Sequence, residues 1–249
     1  IKDLCNKSMY ETIKPSISLG CDTKKSVDED INDIIKHAEE KMYHEKLLEG
    51  KEMRNSLVSA LEKRLFERSP DTELHSNNIV KYATKLGNEL KLDSDEMKIL
   101  KQTARLHDIG LVAINTEIIL KPGPLDDIEW DRVKSHPEVG SRIVQSIPEL
   151  QHITKEILHH HEKYDGSGYP NGTHGENIHI YGRITAIADV FDALTSKRPY
   201  KEAWTNDKAF KTIQGMAGTK LDEEGVDALS ENKEEVELIQ EQYKENIIG

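Results

Sequence analysis

Histidines and aspartates recur along this chain at a spacing that constrains its fold. The recurring positions are His75, the pair His107-Asp108, His136, the pair His160-His161, and Asp189. They are separated by roughly 25 to 35 residues, about one helical hairpin, so each position can lie on its own helix while the helices converge on one cavity. We therefore expect an all-α domain, a helical bundle built around a metal centre.

The donor types indicate a catalytic metal site. Imidazole and carboxylate without thiolate suit Fe, Mn or Zn, whereas a thiolate-rich set would indicate structural zinc. Neighbouring positions on a helix point about 100° apart, so adjacent ligands predict two ions. An aspartate such as Asp108 can bridge two ions and leave a bridging water acidic enough to act as hydroxide. Such a centre needs no nucleophile from the protein.

A glycine-rich stretch follows the last histidine pair, where residues 160–170 read HHEKYDGSGYP. Its plain interpretation is a surface turn, because glycine supplies positive φ and proline fixes the exit direction. Its position directly after two candidate ligands indicates a lip of the active site. In that role Gly168 would let the backbone approach the substrate, and Tyr169 would point toward it.

Between about residues 60 and 230 the chain resembles the HD-GYP domains, which are bacterial cyclic di-GMP phosphodiesterases of the HD superfamily. The motifs that carry the resemblance are LHDIG at 106–110, LKPGPL at 120–125, HPEVG at 136–140, HHEKYDGSGYP at 160–170, IADVFDALTSKRPY at 187–200 and GTKLD at 218–222. The resemblance implies an HD-type helical bundle that binds two or three divalent ions, with Fe or Mn expected. It also implies hydrolysis of cyclic di-GMP to linear pGpG, with GMP left open as the end product.

The resemblance further implies roles for individual residues. The metal ligands would be His75, His107, Asp108, His136, His160, His161 and Asp189. Asp108 would bridge two ions, and alanine at His107 or Asp108 should abolish turnover and metal occupancy together. Tyr169, Arg198 and Lys201 would face the dinucleotide, where Arg198 offers a planar fork, Lys201 a mobile positive charge, and Tyr169 a ring and a hydroxyl.

The chain departs from the family pattern most at Leu111, where the family has lysine just after HDIG. Loss of one preorganised cation near the scissile phosphate would cost ~3 kcal/mol of transition-state stabilisation. A cyclic di-GMP receptor with little hydrolysis is therefore the alternative function. Milder departures are Asn115 for proline, Lys220 for histidine and Ser69 for aspartate. Asp71 stands one helical turn before His75, where some members carry a glutamate that binds a third metal.

A different reaction of the HD superfamily is a third hypothesis, either a di-iron oxygenase or hydrolysis of another cyclic dinucleotide. The GYP loop and the RPY segment disfavour the oxygenase. They do not separate cyclic di-GMP from a mixed guanine-adenine dinucleotide, because base selectivity depends on pocket contacts that spacing does not reveal.

The other histidines are interpreted as structural or solvent-exposed. His159 forms a run of three with His160 and His161, and spacing alone does not say which two bind metal. Residues 159 and 161 differ by about 200° on a helix, so a convergent site excludes one of them. The family register leaves out His159. The remaining members of this class are His37, His44, His152, His174 and His179.

Composition restricts the partners and the compartment. A net charge of -12 disfavours nucleic acid and anionic membrane as partners, although metals and a few basic side chains can still attract a small anionic dinucleotide. No apolar run approaches ~20 residues, so we expect no membrane insertion. Cys5 and Cys21 lie outside the ligand set and no secretion signal is visible, which predicts a reducing cytoplasm. The start at Ile1 suggests a fragment.

The segment before the metal-binding region has a different character. Residues 15–22 predict a strand and residues 27–49 an acidic helix, and SISLG followed by AEEKMYHEKLLEGK resembles the end of a GGDEF domain without its cyclase loop. We expect a short α/β remnant at 1–50, a linker helix at 51–68, the HD-GYP domain at 69–231 and a charged helical tail at 232–249. The linker either packs on its own domain or forms a homodimeric coiled coil.

Overall fold

The computed structural model describes residues 17–67, 70–196 and 202–248, and within these ranges the side chains of all but residues 47–57, 70–72 and 241–248. The described residues fold into helices joined by turns, and no strand forms among them. The prediction of an all-α fold is confirmed. Among the described helices, none combines the length and the hydropathy that crossing a membrane requires.

The α-helices are numbered here in chain order. They are α1 (Ile31–Phe66), α2 (Pro70–Glu89), α3 (Ser94–Leu106), α4 (Thr116–Ile119), α5 (Asp127–Lys134), α6 (His136–Gln145), α7 (Thr154–His159), α8 (Ile180–Thr195), α9 (Asn206–Gln214), α10 (Glu223–Glu231) and α11 (Lys233–Ile248). Short 3-10 helices span Ile109–Ala113, Pro148–Ile153 and Gly175–Asn177. The contacts divide the chain into two units, Ile1–Ala60 and Leu61–Gly249.

In the first unit, the strand predicted at 15–22 is not formed over its described part, residues 17–22. A single strand would leave its backbone donors and acceptors unpaired, and the described residues provide no second strand beside it. The segment lies along α1 instead, so closely that a side-chain carbon at Gly20 would overlap the carbonyl of Ala38. Helix α1 also continues through residue 50, so the acidic helix and the linker helix are one element.

In the second unit, the hydrophobic core lies where α2, α3 and α8 pack together. Apolar residues recur every three to four positions on these helices, which gives each one a face to bury. The rings of Tyr82 on α2 and Phe191 on α8 meet edge to face, with centroids 5.1 Å apart. Leu65 in the last turn of α1 and Val236 in the first turn of α11 are also buried. The C-terminal helix is thus anchored to the core by its first turn.

Two local features position the residues that follow α3. Asp93 caps the start of α3 and accepts hydrogen bonds from the amides of Asp95 and Glu96, while the Glu96 side chain accepts from the Asp93 amide. This reciprocal capping stabilises a helix start by about 1 kcal/mol. After α3, Gly110 packs against the start of α6 so closely that a Cβ atom there would overlap the carbonyl oxygen of His136. Glycine therefore allows the 3-10 helix to approach α6.

Candidate metal centre

The structure brings the predicted ligands together from five helices. His75 lies within α2 and Asp189 within α8, whereas the others lie at helix ends. Their donor atoms form two groups in which all atoms lie within 4.8 Å of one another. The first group is Asp108, His136, His160 and His161, and the second is His75, His107 and Asp108. Asp189 lies beside the second group, with Oδ1 3.4 Å from His75 Nε2.

Asp108 belongs to both groups because its two oxygens face in different directions. Oδ1 lies 3.2 Å from His136 Nε2 and 3.9 Å from His160 Nε2. Oδ2 lies 3.3 Å from His107 Nε2 and 3.9 Å from His75 Nε2. One carboxylate oxygen therefore serves each group, which is the arrangement that a carboxylate bridging two ions requires.

Three of the imidazoles are oriented by the same local feature. Nδ1 of His107, of His136 and of His160 lies 2.6–2.9 Å from the carbonyl oxygen three residues earlier in the chain. Each of these carbonyls belongs to the last turn of a helix, where the amide four residues on lies beyond the helix. A hydrogen bond donated from Nδ1 leaves the lone pair on Nε2, which points into the cluster.

The two adjacent histidines occupy one group, although the helical geometry predicted that neighbours would serve different ions. Helix α7 ends at His159, and His160 and His161 lie in the turn that follows it. Their ring centroids are 4.2 Å apart. His159 belongs to neither group.

The carboxylates of the cluster are held in the ionised form, whereas two of its imidazoles are held neutral. Burial opposes ionisation of Asp108, but the imidazoles of His107 and His136 outweigh it and hold its pKa well below the usual range. Burial likewise opposes ionisation of Asp189, and its contact with His75 lowers its pKa. Burial and neighbouring imidazoles lower the pKa of His161 to about 4 and depress that of His160 as well.

His75 behaves in the opposite way. Burial lowers its pKa, but hydrogen bonds with Asp189 and Asp192 outweigh burial and raise the pKa to about 10. His107 is shifted in the same direction, because the attraction of Asp108 exceeds the effect of burial. The side of the cluster near α2 and α8 is therefore the more negative one and attracts positive charge.

These residues fit a divalent cation. His107 Nε2 is buried and makes no hydrogen bond, although Asp108 Oδ2 lies 3.3 Å away. The Nε2 atoms of His136 and His160 are 3.1 Å apart, and with both Nδ1 atoms donating elsewhere, two lone pairs face each other. Such an arrangement is unfavourable unless a proton or a cation lies between the rings. A donor set of imidazole and carboxylate then favours a metal of the Fe, Mn or Zn type.

The predicted lip of the site packs directly on the cluster. The ring of Tyr169 lies 4.9 Å from that of His161, and its amide donates to the carbonyl of His161 at 3.2 Å. Burial, with the charges of Asp108 and Asp189, raises the pKa of Tyr169 above its usual range, so its hydroxyl stays protonated. Tyr169 thus presents a ring and a hydrogen-bond donor beside the first group.

Gly168 has a clear structural reason to be glycine. A Cβ atom there would overlap the backbone of Glu162 and Lys163, because the loop folds back onto itself. A hydrogen bond stabilises this fold of the loop, because the carboxylate of Glu162 accepts from the backbone amide of Asn171 at 2.8 Å. Close approach of Gly168 to the substrate stays a prediction.

The other residues singled out in the sequence lie outside the described residues or away from the two ligand groups. Arg198, Lys201 and Ser69 lie outside the described residues, as does the side chain of Asp71. Leu111 lies in the 3-10 helix after Asp108 and is partly exposed. Asn115 caps α4 by accepting from the amide of Glu117 at 3.0 Å. Among the other histidines, His152 pairs with Gln102, His179 lies near Glu156 and His37 lies near Asp22.

The sequence did not indicate roles for three residues that contact the candidate ligands or their neighbours, namely Asp192, Asn78 and Gly110. Asp192 accepts hydrogen bonds from both His75 and Asn78. Its spacing gave a usable signal, since it follows Asp189 by three residues and so lies on the same face of α8. The close packing of Gly110 depends on tertiary structure and has no comparable signal.

Comparisons with known proteins show the family to which the chain belongs. A family model described as HD domain matches residues 52–225. The cyclic di-GMP phosphodiesterase response regulator RpfG of Xanthomonas campestris is 38% identical over 197 residues, which cover 78% of this chain and 52% of the relative. The 3'3'-cGAMP-specific phosphodiesterase 2 of Vibrio cholerae is 40% identical over 188 residues, which cover 75% of this chain and 35% of the relative. The chain thus spans about half of these relatives or less.

A solved structure supports the fold independently. The HDG"Y"P protein Bd1817 from Bdellovibrio bacteriovorus superposes with a TM-score of 0.56, covering 84% of this chain and 74% of that one. Its sequence identity is 18%, so this likeness concerns the fold. The bundle that gathers the cluster is therefore one that a solved protein also adopts.

Proposed function

The chain belongs to the HD domain family, with the motifs of its HD-GYP branch, and we propose that it is a metal-dependent phosphodiesterase that hydrolyses cyclic di-GMP. The observation that carries this proposal is the position of Asp108, whose two oxygens face two separate groups of imidazoles. A cluster built this way suits a phosphodiester, which needs positive charge on both sides of the reacting phosphorus.

The HD domain implies binding of divalent metal, and we propose that the cluster holds it, with one ion of the Fe or Mn type for each of its two groups. The first would be held by His136, His160, His161 and Asp108. The second would be held by His75, His107, Asp108 and the adjacent Asp189. Bound divalent ions polarise phosphoryl oxygens and lower the pKa of water. A third ion, through Asp71, stays a prediction, because the side chain of Asp71 lies outside the described residues.

The chain's own residues orient the dinucleotide. The hydroxyl of Tyr169 is protonated and lies on the His161 side of the cluster, where it can donate to a phosphate oxygen. Arg198 and Lys201 would supply positive charge, as the family resemblance implies. The described residues around the cluster carry ionised carboxylates, so these cations and the metals must offset the charge of the substrate.

The choice of cyclic di-GMP rests on the resemblance and on the relatives. RpfG and a Thermotoga maritima relative are named for cyclic di-GMP, whereas the Vibrio cholerae relative is named for 3'3'-cGAMP. Cyclic di-GMP is therefore the proposed substrate, and 3'3'-cGAMP is the alternative substrate to be compared with it. A receptor without hydrolysis is disfavoured, because pure binding does not require a convergent set of metal ligands.

The test is anaerobic turnover of cyclic di-GMP and 3'3'-cGAMP by protein loaded with Fe(II) or Mn(II), with the products separated by chromatography. We expect pGpG or GMP from cyclic di-GMP. His107→Ala and Asp108→Ala should abolish both turnover and metal occupancy. His152→Ala is the matched control, since His152 pairs with Gln102 away from the cluster and should leave both unchanged. Full metal loading and nucleotide binding without any product would overturn the proposal.

A further inference from the structure

One predicted ligand is held differently from the others. His107, His136 and His160 each place Nδ1 on a backbone carbonyl. His75 instead places Nδ1 2.7 Å from Oδ2 of Asp192, a side-chain carboxylate. A carbonyl orients an imidazole but is neutral, whereas a carboxylate adds a full negative charge behind the ring.

Asp192 is itself fixed in place. Its side chain is 2% exposed, and its second oxygen, Oδ1, accepts a hydrogen bond from Asn78 Nδ2 at 2.7 Å. His75 and Asn78 lie three residues apart on α2, and Asp189 and Asp192 lie three residues apart on α8. Two residues from each helix therefore form one buried arrangement, in which Asp189 faces Nε2 of His75 and Asp192 faces Nδ1.

We propose that Asp192 is a positioning residue that sets the metal affinity of the group formed by His75, His107 and Asp108. It touches no other ligand in the described contacts, so the group of His136, His160 and His161 should not depend on it. This inference rests on the metal binding in the proposed function and deepens it, by assigning one carboxylate to one of the two ions.

The direction of the effect follows from charge. The proton on Nδ1 of His75 is directed at Asp192, which leaves Nε2 available to the metal. The carboxylate also places a full negative charge directly behind the ring, where it attracts a divalent ion bound at Nε2. Removing the carboxylate charge should therefore weaken metal binding. Loss of such a supporting group costs roughly 10- to 100-fold in metal affinity.

The experiment is a titration of the full chain with Mn(II) alone, monitored by electron paramagnetic resonance at one fixed pH for all variants. Asp192→Asn keeps the size and one hydrogen bond but removes the charge. We expect two binding steps in the wild type, and in the variant a loss of roughly 10- to 100-fold in one step only. Asp222→Asn is the matched control, because Asp222 is also a buried carboxylate but pairs with Arg183 instead of a ligand.

The outcomes separate this inference from the proposed function. A wild type that binds no Mn(II) would overturn the metal centre itself. Two unchanged steps in Asp192→Asn would overturn only the role of Asp192, and so would an equal weakening of both steps. If circular dichroism shows that Asp192→Asn does not fold, Asn78→Ser tests the same point, since it removes the second hydrogen bond of Asp192 and should weaken the same step to a smaller extent. No weakening in a folded Asn78→Ser would contradict the inference.

Discussion

Nζ of Lys220 lies 2.7 Å from Oδ2 of Asp165 and ties the turn after α9 to the loop that carries Tyr169. The same ammonium donates to Ser167 at 2.7 Å. Backbone hydrogen bonds reinforce the contact, because the carbonyl of Lys220 accepts from Tyr164 and that of Thr219 accepts from Asp165. The lysine that departs from the family pattern thus has a defined structural task.

Replacing Lys220 by alanine should loosen the loop while leaving the fold intact. Both partners are partly exposed, so we expect little change in melting temperature. We expect faster amide hydrogen exchange at residues 165–169 and a KM for cyclic di-GMP raised severalfold with a smaller effect on kcat. Lys98→Ala, which removes a comparable surface pair with Asp95, is the control. Unchanged exchange in the loop would contradict this role.

Replacing Gly110 by alanine should damage the cluster from a distance. The new methyl group would overlap the carbonyl of His136 and press on the backbone of Gly140, so the 3-10 helix must move away from α6. Overpacking of this kind costs about 1–3 kcal/mol of unfolding free energy. We expect that loss in denaturant unfolding, together with weaker Mn(II) binding. At Gly123 an added methyl meets nothing within 4 Å, so Gly123→Ala should show neither effect.

Metal affinity should rise with pH. In the metal-free protein the pKa of His75 is raised to about 10, so its ring is protonated at neutral pH and must lose a proton when the metal binds. Below that pKa the release of this one proton should increase the affinity of the group by up to roughly tenfold per pH unit. His161, with a pKa of about 4, is already neutral and adds no dependence in this range. Competition with a chelating dye at pH 6.5, 7.5 and 8.5 measures the slope. An affinity that does not change with pH would disprove the protonated state of His75.

Restoring the family's lysine at position 111 should accelerate hydrolysis. Leu111 directly follows the HDIG motif and is partly exposed, so a longer side chain can be accommodated. An added cation near the developing charge would contribute up to ~3 kcal/mol, or roughly a hundredfold in kcat. Leu111→Met tests whether side-chain length alone has any effect. If kcat is equal in the lysine and wild-type proteins, the leucine is not the element that limits turnover.

The gathering of the candidate ligands was predictable from the sequence because all of them except His75 lie in recognisable local motifs. His107 and Asp108, for example, follow an amphipathic helix whose capping residues are also visible in the sequence. The division of the ligands into two groups was not accessible, because it depends on how the helix ends place neighbouring residues such as His160 and His161. A helix end differs from a helix interior by about one residue, which is within the uncertainty of any boundary read from sequence.

Other features depend on contacts between distant residues. Asp192 lies 117 positions from His75, so only the packing of α8 on α2 reveals their hydrogen bond. The strand expected at 15–22 illustrates the converse error, since its alternating pattern was correct for a strand but the described residues offer it no partner. Local sequence patterns predicted the helices well, but they did not predict the tertiary contacts that each segment makes.

The histidines that rest on helix-end carbonyls couple the order of those ends to the metal. His107, His136 and His160 each close the last turn of a preceding helix, and the same rings would be held by the ions on their other side. Linkage is reciprocal, so ions that are bound suppress fraying of three helix ends, and fraying in turn releases ions. A demetallated chain would therefore show more frequent fraying at these three helix ends than the metal-bound chain.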